Sequence, residues 1–510
     1  MSTTQPDPGL QARHQGSAES VTAGTAGVDR LKPNAVGLAG VIFVAVTGAA
    51  PISAMLFNVP FAVGFGTGKF TPAAFLFATV ILTIFSVGYV TMARKIRAAG
   101  GFYAFISHGL GRELGMAAGI CGALAYSLFE VSLLGGFAYF ANNNFHEWFG
   151  WNIPWPVFAF LAAGLISVFC YFDVELSVRV LGVALIGEII ILTVFDVLVF
   201  AQGGQSGIQF GSLNVFNLGS PGPGLAAGVG LFLAFWSWVG FEAAPNYAEE
   251  SKDPARNVPR ATLISVIGLG IGYVITSLAF VSAFAPGKLI KAAQDPSGPF
   301  FSAMRSFGSH GLATIMEVLI LTGSFACAMA FHNAAMRYFY AMGREGVLPR
   351  ALGRTHPTHK SPYIASMVQT AVAVAIVLVW AIGAGFGKAF DVAYVRIYTM
   401  MAVQGVVWIL AIQAVCAVAI IVYHRRHKYE DSVLAVVVCP IIAVLGQVFA
   451  IYLLFKNIST LAGTIGYVDA IAPIAVIVAI GALAYAMMLK RTNRAKYELI
   501  GRMIDEGVTP

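Results

Sequence analysis

Five carboxylates interrupt otherwise apolar runs of this 510-residue chain: Glu130, Glu188, Asp196, Glu242 and Glu317. No Lys or Arg is expected at comparable depth to pair with them. An ionised carboxylate alone in apolar surroundings is expensive, so each should hold a proton, find a partner or bind a cation. Two further stretches could do chemistry with the backbone itself. One reads Val46-Thr47-Gly48-Ala49-Ala50-Pro51-Ile52-Ser53, the other Trp238-Val239-Gly240-Phe241-Glu242-Ala243-Ala244-Pro245-Asn246. Each places a Gly, a short stretch and then Ala-Ala-Pro in the middle of an apolar run. Pro removes an amide donor and clashes with the carbonyl four residues back, and Gly adds backbone freedom. The pair favours an unwound turn between two half-helices. The N-terminal end of a half-helix suits a carboxylate, and unwound carbonyls suit an ammonium group.

The elements that must carry these residues are membrane helices. Apolar residues make up 58% of the chain and charged residues 11%, with a mean hydropathy of +0.78. A soluble domain carries about 25% charged residues. Twelve apolar runs are long enough to cross a bilayer, at about 35–64, 71–92, 115–141, 152–172, 177–202, 224–249, 259–284, 311–341, 362–384, 391–423, 432–455 and 467–489. They are too long and too continuously apolar for barrel strands. Backbone in lipid must satisfy its own hydrogen bonds, so the expected class is all-α and polytopic.

The two interrupted runs are the first and the sixth. Five crossings separate their starts, and an odd number inverts orientation. Spans one to five and six to ten would then form two inverted copies, with two spans appended. The expected segments are a disordered tail at 1–33, a first repeat at 34–203, a second at 204–425, the appended pair at 426–490 and a tail at 491–510. With both termini cytoplasmic, 24 of the 31 Lys and Arg fall on the inner side. That bias sets the orientation and accounts for the net charge of +7 by topology and lipid contact, without a nucleic-acid partner. Residues 1–33 hold no signal-peptide core.

Other chemistries find little support. Cys121, Cys170, Cys327, Cys416 and Cys439 lie in or beside apolar runs with no metal-ligand spacing, so they are expected as packing residues, with no disulfide or metal site. No HExxH or GxSxG sequence occurs, and no enzyme or cofactor is implied. A sensor that binds without moving its ligand would lack a signalling domain. The partners expected are the bilayer and an amine-bearing solute, with the protein a monomer or homodimer.

Four stretches together resemble the amino acid–polyamine–organocation superfamily of permeases, over residues 35–490. They are Gly48 to Pro51; Ala99-Gly100-Gly101-Phe102-Tyr103-Ala104-Phe105 through Gly111; Phe235 to Glu242 with Glu249-Glu250-Ser251-Lys252-Asp253-Pro254 through Ala261; and Arg337-Tyr338 through Gly343 to Pro349 with Ser361-Pro362. The resemblance implies a five-plus-five inverted repeat, alternating access and location in the cell membrane. It implies that Thr47, Gly48, Ala49, Ala50 and Ile52 hold the carboxylate of an amino acid. Carbonyls near Phe235, Trp236 and Val239 would receive its amine, with Trp236 closing over it. The Gly100–Gly101 segment would gate the cytoplasmic mouth. Glu242 would sense a proton. Glu188 stands where many relatives carry a Lys that substitutes for sodium; a carboxyl cannot mimic that cation, which leaves a proton as the first choice of coupling ion and sodium as the second. Glu130 could meet a second amine, and His332 and Asn333 could line the path. A polyamine, ethanolamine or other organic cation is the alternative cargo.

Overall fold

The computed structural model describes residue 31 and residues 33–96, 100–172, 174–295, 298–386, 389–428, 431–458 and 468–501, with side chains at 173–181, 384, 390 and 468 left out. The expected tails, apart from 31, 33 and 491–501, and Ala99 of the second motif lie outside the described residues.

The described chain is helical, and its one β-bridge, Val36 with Ser251, is isolated. In chain order the principal elements are α1 (Leu38–Gly66), α2 (Gly68–Ala93), α3 (Gly101–Leu110), α4 (Arg112–Phe149), α5 (Trp155–Tyr171) and α6 (Val174–Ala201). They continue with α7 (Ala227–Tyr247), α8 (Pro254–Ser282), α9 (Pro286–Ala293), α10 (Pro299–Phe307), α11 (His310–Arg344) and α12 (Tyr363–Ala384). The last are α13 (Asp391–His427), α14 (Leu434–Lys456), α15 (Ile471–Thr492) and α16 (Arg494–Leu499). Eleven spans among the described residues are long and apolar enough to cross a membrane. The run expected at 152–172 is α5, apolar but only 17 residues long.

Local sequence sets many of the ends. Pro occupies the first turn of α2, α5 and α8, where its missing amide costs nothing. Ser309 caps α11 by accepting from the Leu312 amide at 3.2 Å. Burial then sorts the helices. The most apolar window of α7 is 94% buried and those of α1 and α4 are 83% buried, against 33% in α12 and 22% in α15. The two interrupted helices and α4 are therefore the centre of the molecule, and α12 and α15 present apolar side chains outward.

Both interruptions form. The first helical stretch of α1 ends at Gly48, Ala50 takes a left-handed conformation (φ 45°), and helix resumes at Pro51. In α7 regular helix ends at Trp236, Gly240 takes φ 117°, and a 3₁₀ stretch, Phe241–Tyr247, follows. The breaks touch. A Cβ on Gly48 would lie 3.2 Å from the Gly240 Cα, and a Cβ on Gly240 would fall inside van der Waals contact with the Gly48 carbonyl. The bridge also clasps them from one end, with the Val36 amide donating to the Glu250 carbonyl (2.9 Å) and the Lys252 amide to the Val36 carbonyl (3.0 Å).

Gly240→Ala should cost about 2–4 kcal/mol of stability, since it combines a disfavoured φ with overpacking against backbone. Gly268→Ala on α8, where an added methyl meets open space, is the reference. Unfolding in detergent compares them; equal stability of the two variants would contradict the packed contact.

Candidate functional site

At the point where the breaks meet lies a small cavity. The α1 break lines it with Gly48, Ala49, Ala50, Ser53 and Ala54, and Asn58 lies further along α1. Trp236, Ser237 and Val239 come from α7, Phe129 and Leu133 from α4, Cys327 and Phe331 from α11, and Tyr398 from α13. Of the residues expected to hold a solute, Gly48, Ala49, Ala50, Trp236 and Val239 border this space, while Thr47, Ile52, Phe235 and Glu130 are outside its lining.

The break of α7 turns its aromatics to different sides. Trp236 lies over Tyr398 with ring centroids 5.4 Å apart. Trp238 packs away from the cavity, edge-on to Tyr273 at 4.8 Å, and Phe235 meets Phe77 at 6.3 Å. The Phe235 and Trp236 carbonyls accept turn hydrogen bonds from the amides of Trp238 (3.2 Å) and Val239 (2.9 Å). A carbonyl keeps a second lone pair, which leaves each able to receive a further donor.

The freed backbone groups find partners that sequence did not pair. The Ile52 amide, at the start of the second half of α1, donates to Glu188 Oε2 at 3.2 Å. The Gly240 amide donates to Glu242 Oε2 at 3.0 Å, and the Tyr126 hydroxyl donates to Glu242 Oε1 at 3.0 Å. Tyr273 donates to the Ala49 carbonyl at 2.8 Å, and the Cys327 thiol reaches the Gly48 carbonyl at 3.5 Å. Each break is thus capped by one buried carboxyl. Glu188 packs closely over Gly323, where a Cβ would lie 2.9 Å from the Glu188 carboxyl carbon. The second Glu188 oxygen and the Thr47 hydroxyl are buried without a partner.

The expectation that no Lys or Arg meets the acids is corrected at Glu317, and Glu130 and Asp196 have other polar partners. Glu317 accepts from Arg305 of α10 (2.5 Å) and from the Trp148 indole (3.0 Å). His332 Nδ1 lies 3.0 Å from both Glu130 oxygens, and Gln369 donates to Glu130 Oε2 at 2.6 Å. The other imidazole nitrogen meets the Ser366 hydroxyl at 2.9 Å. Glu130 therefore points between α4, α11 and α12. Asp196 accepts from Thr276 at 2.8 Å. These partners come from other helices or an intervening short helix, so spacing along the chain did not reveal them.

A second polar group borders the cavity. Asn58 donates to the Ser237 hydroxyl (2.9 Å), and the Tyr398 hydroxyl donates to Asn58 Oδ1 (3.2 Å). Ser53 and Ser324 hydroxyls are 3.2 Å apart. Sequence reasoning missed Asn58, Ser237 and Tyr398; the one signal was Asn58 lying in a span otherwise nearly free of amides. Beneath the α7 break, Gly100 and Gly101 take φ 114° and 32° and start α3, where a Cβ on Gly101 would lie 2.7 Å from Asn246 Oδ1. Tyr89 packs against Phe102 and edge-on to Phe105 and donates to the Glu242 carbonyl at 3.0 Å, so α3 bears on the break.

A family model described as amino acid permease matches residues 36–480. A branched-chain amino acid permease of Bacillus subtilis (strain 168) is 24% identical over 327 residues, covering 59% of this chain and 66% of that one. An uncharacterized transporter of Mycobacterium tuberculosis (strain ATCC 25618 / H37Rv) is 24% identical over 344 residues, 62% of this chain and 68% of its own. A methylthioribose transporter of Bacillus subtilis (strain 168) is 24% identical over 223 residues, 44% of each chain. The chain thus spans about two thirds or less of the length of these relatives. Among solved structures, a manganese transporter of Eremococcus coleocola has a TM-score of 0.59 at 13% identity, covering 91% of this chain and 95% of that one, which shows a shared fold. The family and these relatives are transporters, not enzymes.

Replacing Glu188 tests the cap. Gln keeps an acceptor for the Ile52 amide, whereas Leu leaves that donor buried and unpaired, at a cost of about 1–3 kcal/mol. Glu188→Leu should therefore unfold earlier in detergent than Glu188→Gln. Indistinguishable midpoints would remove the cap.

Proposed function

Because the chain belongs to the amino acid permease family, a multi-pass membrane family matched here over residues 36–480, we propose that it carries a neutral amino acid with an apolar side chain through the cavity between its two breaks. One observation carries the reading. The cavity is bordered by backbone of both breaks and by Phe129, Leu133, Phe331 and Trp236, with no charged side chain among the described residues of its lining. Backbone amides and carbonyls of the unwound turns suit a zwitterion, and an aromatic and aliphatic wall suits an apolar side chain. The naming of one relative as a branched-chain amino acid permease supports the same class.

An organic cation with a second amine has less support. Glu130, the acid expected to meet that amine, is engaged with His332 and Gln369, and none of the five intramembrane acids lines the cavity.

The reading extends to mechanism. Two inverted repeats of five spans, with the termini inside, would rock about the paired breaks in alternating access. The coupling ion on this reading is a proton at Glu188 or Glu242. Protonating either carboxyl changes it from an acceptor of one break's amide to a weaker acceptor that can also donate. Proton and solute would then act on the same two turns. Sodium is the second choice of ion.

Uptake into proteoliposomes tests each part. Leucine should compete for the carrier and putrescine should not. Uptake should rise with an inward proton gradient and collapse when the gradient is dissipated; indifference to pH with dependence on sodium would replace the proton. Glu242→Gln should retain counterflow but lose the response to the proton gradient. Trp236→Ala should weaken leucine affinity by about tenfold, the equivalent of about 1.4 kcal/mol. If no amino acid moves at any pH, the proposal fails.

A further inference from the structure

The opposite side of α11 borders a second, small cavity. It lies between Cys170 at the end of α5, Asn333 and Arg337 of α11, Glu250 after α7, and the turn that carries His359 and Lys360. None of these residues lines the cavity between the breaks.

Among its lining groups is a buried donor without a partner. Arg337 is buried, with its guanidinium 3.8 Å from the Tyr247 ring centroid. Its Nε and Nη2 donate to Glu250 Oε2 (3.1 and 2.5 Å), and Nη1 donates to the Asn333 carbonyl (3.2 Å). Those three bonds leave two of the five guanidinium N–H groups for another acceptor. Asn333 is 1% exposed, and its Nδ2 has no hydrogen-bond partner. Burying such a donor unpaired is unfavourable, which makes its place on a cavity wall informative. Lys360 is held at φ 57°, a conformation rare for a residue with a side chain, by its amide on the His356 carbonyl (3.0 Å) and the His356 amide on the Ser361 carbonyl (2.8 Å). No carboxylate pairs with Lys360 among the described residues.

Among the described lining residues Glu250 and Arg337 cancel each other's charge, and Lys360 adds one positive charge. We propose that this cavity binds a phosphate group. A phosphodiester carries one negative charge and several acceptor oxygens, which matches Lys360 together with the unpaired donors of Asn333 and Arg337. The apolar outer face of α5, where Leu161, Leu165 and Val168 are exposed, runs to the cavity at Cys170. An anionic lipid headgroup and free phosphate supply the same chemistry, and the experiment separates them.

The purified full-length protein, delipidated in detergent, is mixed with dioleoyl phosphatidylglycerol, with dioleoylglycerol, or with inorganic phosphate, and bound species are read by native mass spectrometry. Phosphatidylglycerol should be retained and dioleoylglycerol should not. Lys360→Ala, an exposed change with little reach into folding, should weaken retention about tenfold, as expected for the loss of one charged hydrogen bond. Asn333→Leu should weaken it in the same direction while leaving the unfolding midpoint near that of the parent. Retention of inorganic phosphate without the lipid, with the same dependence on the two residues, would keep the site and make its ligand soluble. Retention unchanged in both variants, or equal retention of dioleoylglycerol, overturns the proposal. The result does not depend on which solute the first cavity carries.

Discussion

The contact between Gly48 and Gly240 governs the centre of this molecule. Two helices meet there with no side chain between their backbones, and regular helix ends at Gly48 on one side and at Trp236 on the other. In a bilayer interior each amide or carbonyl released by such a break costs several kcal/mol if left unpaired. The surrounding helices are arranged to prevent that. Glu188 of α6 takes the Ile52 amide and Glu242 takes the Gly240 amide, while Tyr273 and Cys327 cover the Ala49 and Gly48 carbonyls. The buried acids are thus part of the construction of the breaks, and their cost is offset by donors that would otherwise be orphaned.

This arrangement separates charge from the binding space. The caps approach the turns from behind, and the cavity in front of them is bounded by backbone, aromatic rings and small polar groups. A solute in that cavity would meet the turns at Gly48–Ala50 and Trp236–Val239, next to the Ile52 and Gly240 amides that the carboxyls hold. Solute and acid share a backbone without sharing a contact, which is the physical basis for the coupling proposed above.

Helix α11 distributes its faces by helical spacing. Cys327 and Phe331, four apart, face the first cavity; His332 turns to Glu130; Asn333 and Arg337, again four apart, face the second. Adjacent residues on α4 divide in the same way, Phe129 to the cavity and Glu130 to His332. One residue of rotation decides whether a polar group touches solute, a neighbouring helix or the far cavity.

The amino-acid sequence alone determined the solvent, the helical class, the two breaks and the family, because each depends on local composition or on short motifs. A Gly with Ala-Ala-Pro close behind it favours unwinding of a helix, and an apolar run of this length belongs in lipid. Glu188 and Glu242 could be singled out as costly, since cost follows from burial among apolar neighbours. Only the tertiary structure decided what meets them. The pairing of Glu130 with His332 spans 202 residues, that of Glu188 with Ile52 spans 136, and that of Asn58 with Tyr398 spans 340. Such contacts depend on the azimuth of each helix and on which helices are neighbours. Periodicity constrains the first only loosely in helices apolar all round, and it says nothing about the second.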